Sequence, residues 1–144
     1  MRLIIGKSVN EEYTSPNLER IGELISQVEI GVIQRPEIEL IDNDIGVELH
    51  LGLLFAKDSL AGWLVTQMSK TNPPYYTICK YKGTNSFVEG LVYCGAPENV
   101  INSAILQRAE VLEVIDFFFR EGKCPKNYIL RQRKEIFSRY QDYV

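Results

Sequence analysis

The stretch Ile45–Met68, IGVELHLGLLFAKDSLAGWLVTQM, decides the fold. Ile45, Val47, Leu49, Leu51, Leu53 and Phe55 alternate with Gly46, Glu48, His50 and Gly52. That is the period-two pattern of a strand with one buried face. Lys57-Asp58-Ser59 supplies a turn, and Gly62–Met68 returns as the antiparallel partner. Upstream, Ile38 and Leu40 alternate with acids from Glu37 onward, and Asp42-Asn43-Asp44 makes a turn. Downstream, the adjacent prolines in Lys70–Pro74 mark a loop, because proline cannot serve an interior strand. Tyr75–Lys82 and Phe87–Cys94 then read as a second hairpin across Gly83-Thr84-Asn85-Ser86.

Helical periodicity lies outside this run. Leu3–Ile5 is a short strand, after which Ser15-Pro16 reads as an N-cap and first helical position. Leu18, Ile21, Leu24, Ile25 and Val28 follow at helical spacing, so residues 16–28 are predicted to be helical, with Gly31 and Pro36 ending that segment. A second helix is predicted over 106–121: Ala109, Leu112, Ile115 and Phe119 form its stripe, widened by Val111, Val114 and Phe118. Gly122 suits its left-handed cap and Pro125 prevents resumption. A last helix is predicted over 131–143, with Ile136, Phe137 and Tyr140 inward. The expected fold is therefore α+β: an antiparallel meander of about four to six strands packed against N- and C-terminal helices, in one domain over 1–144.

Composition narrows the function. Net charge is −3, which argues against a general nucleic-acid binder. The charge is unevenly placed: residues 1–60 hold eleven acids against five Lys/Arg, and residues 61–144 hold eight against eleven. An acidic half repels phosphate and attracts a basic protein. Cys79, Cys94 and Cys124 are widely spaced without a C-x-x-C, as expected of free thiols in a reducing compartment. The apolar run at Leu3–Gly6 is too short for a secretory signal, and no stretch approaches the ~20 apolar residues of a membrane span. A cytoplasmic protein without membrane partners is expected.

The chain carries little catalytic chemistry. His50, the only histidine, lies two residues from Glu48 on the same strand face, a pair suited to acid–base work but equally to a solvated face. Without a second histidine, no His-rich metal site is expected. Asp42-Asn43-Asp44 with Gly46 fails as a calcium loop, since the twelfth position is Leu53 rather than glutamate. No phosphate-binding glycine motif or G-x-S-x-G occurs, so neither catalytic nor cofactor-binding residues are assigned. Tyr75, Tyr76, Tyr81, Phe87 and Tyr93 lie near Lys80 and Lys82, which makes a small nucleic-acid-binding module with a Tyr/Lys-rich sheet face the alternative reading. Lys123, Lys126, Arg131, Arg133, Lys134 and Arg139 add a basic cluster that suits phosphate or, equally, a solvated helix face.

At Phe118-x-x-x-Gly122-x-x-Pro125 the chain resembles bacterial immunity proteins of polymorphic-toxin and contact-dependent-inhibition systems, in the family called immunity protein one. The matching elements would be Gly62–Val65, Tyr75–Tyr81, Phe87–Tyr93 and Ala109–Pro125, covering about the last 80 residues. The family pattern usually has a tryptophan soon after the proline, where this chain has Tyr128. The resemblance implies a non-enzymatic cytoplasmic inhibitor that needs no cofactor. Its partner would be the C-terminal domain of a cognate toxin, a nuclease or deaminase. Because such toxins tend to be basic, Glu37, Glu39, Asp42, Asp44 and Glu48, with Tyr75 and Tyr76, are the expected partner-binding face. Self-association into a homodimer is left open.

Overall fold

A computed structural model describes residues 1–5, 9–31, 37–44, 46–57, 59–68, 75–81 and 85–139. The elements are β1 (Arg2–Ile5), β2 (Val9–Glu12), α1 (Leu18–Glu29), β3 (Glu37–Asp42), β4 (Val47–Ala56), β5 (Ser59–Met68), β6 (Tyr75–Lys80), β7 (Phe87–Tyr93) and β8 (Ala96–Ile101). A 3-10 turn (Asn102–Ala104), α2 (Arg108–Glu121), β9 (Tyr128–Gln132) and the single turn α3 (Arg133–Ile136) complete the chain. Among the described residues the strands form one open antiparallel sheet of nine, ordered β2-β1-β3-β4-β5-β6-β9, with β7 on the distal end of β4 and β8 beyond it. The α+β class is as expected, but the sheet is larger than four to six strands. The two long helices are inserted between strands rather than placed at the chain ends: α1 follows β2, and α2 is followed by β9.

The sheet is covered on both faces, unequally. Leu49, Leu51 and Leu53 of β4, Trp63 and Val65 of β5 and Ile78 of β6 join α1 and α2 in one core. Ile21, Leu24, Ile25 and Val28 are the buried stripe of α1; Val111, Val114, Ile115, Phe118 and Phe119 are that of α2. Each such side chain removed from water contributes about 1.5–3 kcal/mol. Ala109 is exposed and Leu112 only half-buried, so the inner stripe of α2 is rotated from the expected one. On the opposite face Leu54, Leu64 and Cys79 pack with Leu91, Val100, Ala104, Ile105, Ile136 and Phe137. This second cover explains the burial pattern. Residues 47–50 alternate buried and half-buried, whereas 51–54 and 62–65 are buried without interruption.

Local chemistry sets the boundaries. Asn17, not Ser15, caps α1: its Oδ1 accepts from the Arg20 N–H at 3.1 Å. Leu106, placed in the helix by periodicity, instead exchanges backbone hydrogen bonds with Trp63 (2.8 and 2.9 Å), so α2 begins two residues later. Gly122 adopts the expected left-handed cap at φ 70°, and its N–H donates to the Phe118 carbonyl at 2.8 Å. The expected hairpin of 75–82 with 87–94 does not form. The segment 75–80 pairs with β5 and β9, whereas 87–93 pairs with β4 and β8. Cys94-Gly95, both at positive φ, make the two-residue turn into β8. Residues 128–132, read partly as helix, are a strand because they complete the edge of β6. Expectations at Gly6, Pro36, Ile45, Asp58, Lys70–Pro74, Lys82–Thr84 and Tyr140 fall outside the described residues. No helix among the described residues is long and apolar enough to cross a membrane.

Candidate functional site

The β7–β8 hairpin, the 3-10 turn and α3 cover only part of the second face of the sheet. The remainder, over β3 and the first half of β4, carries the polar half of each alternating strand. In the β3–β4 register Glu39 is directly opposite His50, Ile41 opposite Glu48, and Glu37 opposite Gly52. Glu37, Glu39, Glu48 and His50 therefore share one face. His50 is held between the two nearer acids. Its Nε2 lies 2.7 Å from Glu48 Oε1, and its Nδ1 lies 4.0 Å from Glu39 Oε1. A carboxylate can only accept, so the Nε2 position carries the proton in that contact. All three side chains are about a third exposed, at 34%, 39% and 38% for His50, Glu39 and Glu48.

The rim of this face is built by the hairpin turn. The Cys94 thiol donates to Glu37 Oε1 at 2.9 Å. Partial burial of the sulfur, then the Glu37 carboxylate, push that thiol up to about 11, so it is no ready nucleophile. Beside it the Tyr93 ring covers Gly52 and packs on Phe137, with centroids 6.0 Å apart. Burial, then Cys94, raise the Tyr93 phenol above its ordinary range. Glu39 and Glu48 have no lysine or arginine partner among the described residues. The basic side chains at the far end of this face are engaged: Arg139 pairs with Glu98 at 3.2 Å, and Arg133 lies over the Phe137 ring at 5.4 Å.

The expected binding residues divide. Glu37, Glu39 and Glu48 stand together, and Tyr75 shares their face from β6, two strands beyond β4. Strand alternation sends Tyr76 to the opposite face. Asp42 and Asp44 sit at the hairpin end, where the Asp44 N–H donates to Asp42 Oδ1 at 3.1 Å, and line a polar depression of about 480 Å³. Of the aromatic and basic residues of the nucleic-acid reading, Tyr75, Tyr93 and Arg133 meet on the second face, whereas Tyr76 and Lys80 lie on the opposite face, Lys80 approaching Glu110 at 4.0 Å; Lys82 lies outside the described residues. No protein-family model, curated protein or solved structure matches the chain. The site is therefore read from its own geometry. Reading the sequence alone missed the pairing of Glu39 with His50 and the contact of Cys94 with Glu37. The first was signalled by the Asp42–Asp44 turn; the second had no local signal.

Proposed function

We propose that this chain binds a basic protein partner through the open acidic face formed by Glu37, Glu39 and Glu48. We further infer that the partner is the toxin domain of a bacterial polymorphic toxin, a nuclease or deaminase, neutralised in the cytoplasm without catalysis by this chain. One observation carries the reading: carboxylates from two adjacent strands are concentrated on a sheet face that, among the described residues, is left uncovered and without lysine or arginine counter-charge at Glu39 and Glu48. Such a face attracts and orients a basic cleft during encounter. The end of α2, with Phe118, Gly122 and Pro125, supports the narrower immunity-protein assignment by its resemblance to that family.

The test is complex formation with the product of a neighbouring gene that encodes a toxin domain. Wild-type protein should bind it and protect cells that express it. Glu37→Lys with Glu39→Lys should slow association about tenfold or more at low ionic strength and flatten the salt dependence. Unaltered association kinetics would remove the acidic face from the interface. Failure to form any complex with that toxin would remove the family assignment.

A further inference from the structure

We propose that Glu39, Glu48 and His50 form a binding site for a first-row divalent cation of the Zn2+ class. The inference does not depend on the toxin reading. Neighbouring strands bring the three donors together: one ligand atom from each residue lies within 4.8 Å of those of the other two. The imidazole and the two carboxylates are the donor types that Zn2+ accepts, and the histidine distinguishes the set from a purely acidic patch.

The electrostatics favour a cation here. Two carboxylates flank one imidazole on adjacent strands, and neither has a lysine or arginine partner among the described residues. A divalent ion would take the place of the proton that His50 Nε2 directs at Glu48 Oε1. Tetrahedral Zn2+ with bonds near 2.0–2.1 Å needs ligand atoms about 3.3 Å apart. With Nε2 as the ring's single ligand atom, its 2.7 Å contact with Glu48 must open slightly, and Glu39, now 4.0 Å from Nδ1, must swing to the Nε2 side, within the reach of side chains that are about a third exposed. The strand backbone already holds the bases of all three. Thr66, the cross-strand neighbour of His50 on β5, presents a neutral side rather than a competing charge. Three protein ligands leave a coordination position open towards solvent, where water completes the shell.

The experiment is a titration of the isolated full chain with Zn2+ by calorimetry and with Co2+ by visible absorbance. One equivalent should bind, with cobalt d–d bands of a nitrogen- and oxygen-ligated ion and no thiolate charge-transfer band. His50→Ala, Glu39→Gln and Glu48→Gln should each weaken binding at least tenfold. Asp116→Asn, on α2, should leave it unchanged. Zn2+ should raise the melting temperature of the wild type and not of His50→Ala, a comparison valid if the two melt alike without metal. The proposal is overturned if no equivalent binds below millimolar Zn2+, or if His50→Ala binds as tightly as the wild type. It is also overturned if Mg2+ binds as well as Zn2+, the mark of a merely acidic surface, or if a thiolate band places the metal on Cys94.

Discussion

The Tyr93 ring lies directly on Gly52: a Cβ added at position 52 would stand 2.3 Å from Tyr93 Cε2 and 2.9 Å from its hydroxyl oxygen. The contact joins β4 to the hairpin that closes over the second face, and it marks where the open acidic face ends. Gly52→Ala should displace the ring from Phe137 and destabilise the protein by about 1–3 kcal/mol. Because the obstacle is one side chain, Tyr93→Ala should absorb part of that loss. Urea denaturation of both single variants and the double variant measures this coupling, expected at about 0.5 kcal/mol or more. Simple additivity would mean that the ring does not rest on Gly52.

Gly62 and Gly122 should behave differently from Gly52. At Gly62, φ is 150° and a Cβ would meet the Leu106 carbonyl oxygen at 2.8 Å. Backbone cannot swing aside, and the pairing of Trp63 with Leu106 that starts α2 would be disrupted. Gly62→Ala should cost about 3 kcal/mol or more, with no single rescuing substitution. Gly122, at φ 70°, has open space around it. Gly122→Ala should cost only about 1 kcal/mol, the conformational penalty of a left-handed alanine, and Gly122→Asn less. Equal losses at 62 and 122 would contradict the packing.

The pair Glu11–Arg20 ties edge strand β2 to helix α1. Arg20 Nη2 donates to Glu11 Oε1 at 2.7 Å and Nε donates to Oε2 at 3.0 Å, while the Tyr13 hydroxyl also donates to this carboxylate. The guanidinium first, and then the Tyr13 hydroxyl, lower the Glu11 carboxyl from 4.5 to about 2. The folded-state value lies below the unfolded one, so the stabilisation is complete above about pH 4.5 and is lost as pH falls through about 2. Glu11→Gln should cost about 1 kcal/mol at neutral pH, since the pair is partly exposed and screened. Its difference from wild type should vanish near pH 2. Denaturation midpoints across this range would show a flatter acid limb in the variant; an unchanged limb would detach Glu11 from acid stability.

Cys94 is the exposed cysteine, and partial burial of its sulfur first, then the Glu37 carboxylate, hold the thiol above its ordinary range. Glu37→Gln removes a negative charge that disfavours the thiolate, so alkylation of Cys94 at pH 8.5 should accelerate about two- to tenfold. Cys79 is fully buried and pushed up to about 12, and should stay unmodified in the folded protein. Mass mapping after timed iodoacetamide treatment reads both sites. A rate at Cys94 unaffected by the substitution would show that Glu37 does not govern the thiol.

Much of the fold is legible along the chain. Alternation over Val47–His50 announces a strand with one wet face, and that face is where Glu48 and His50 stand. The cap at Gly122 needs only its own backbone conformation, so the end of α2 could be read without a neighbour. Strand partners were less accessible. Cys94-Gly95 makes a two-residue turn without the usual Asn-Gly or Asp-Gly signature, so β7 was paired with β6 rather than β8. Leu54 and Leu64, apolar on the face that is polar at Glu48 and His50, are inward residues of a second core.

By itself the sequence determined which side of each strand and helix is apolar, because that follows from local spacing and the transfer of side chains from water. It also placed a turn at Asp42–Asp44 between two alternating segments, but the register that sets Glu39 opposite His50 came from the folded sheet. Only the tertiary structure decided that, among the described residues, this face stays open. Whether a polar strand face meets water, a cation or another layer depends on where the chain returns more than forty residues later (His50 to Tyr93), and here Tyr93 stops at Gly52, one alternation short of His50.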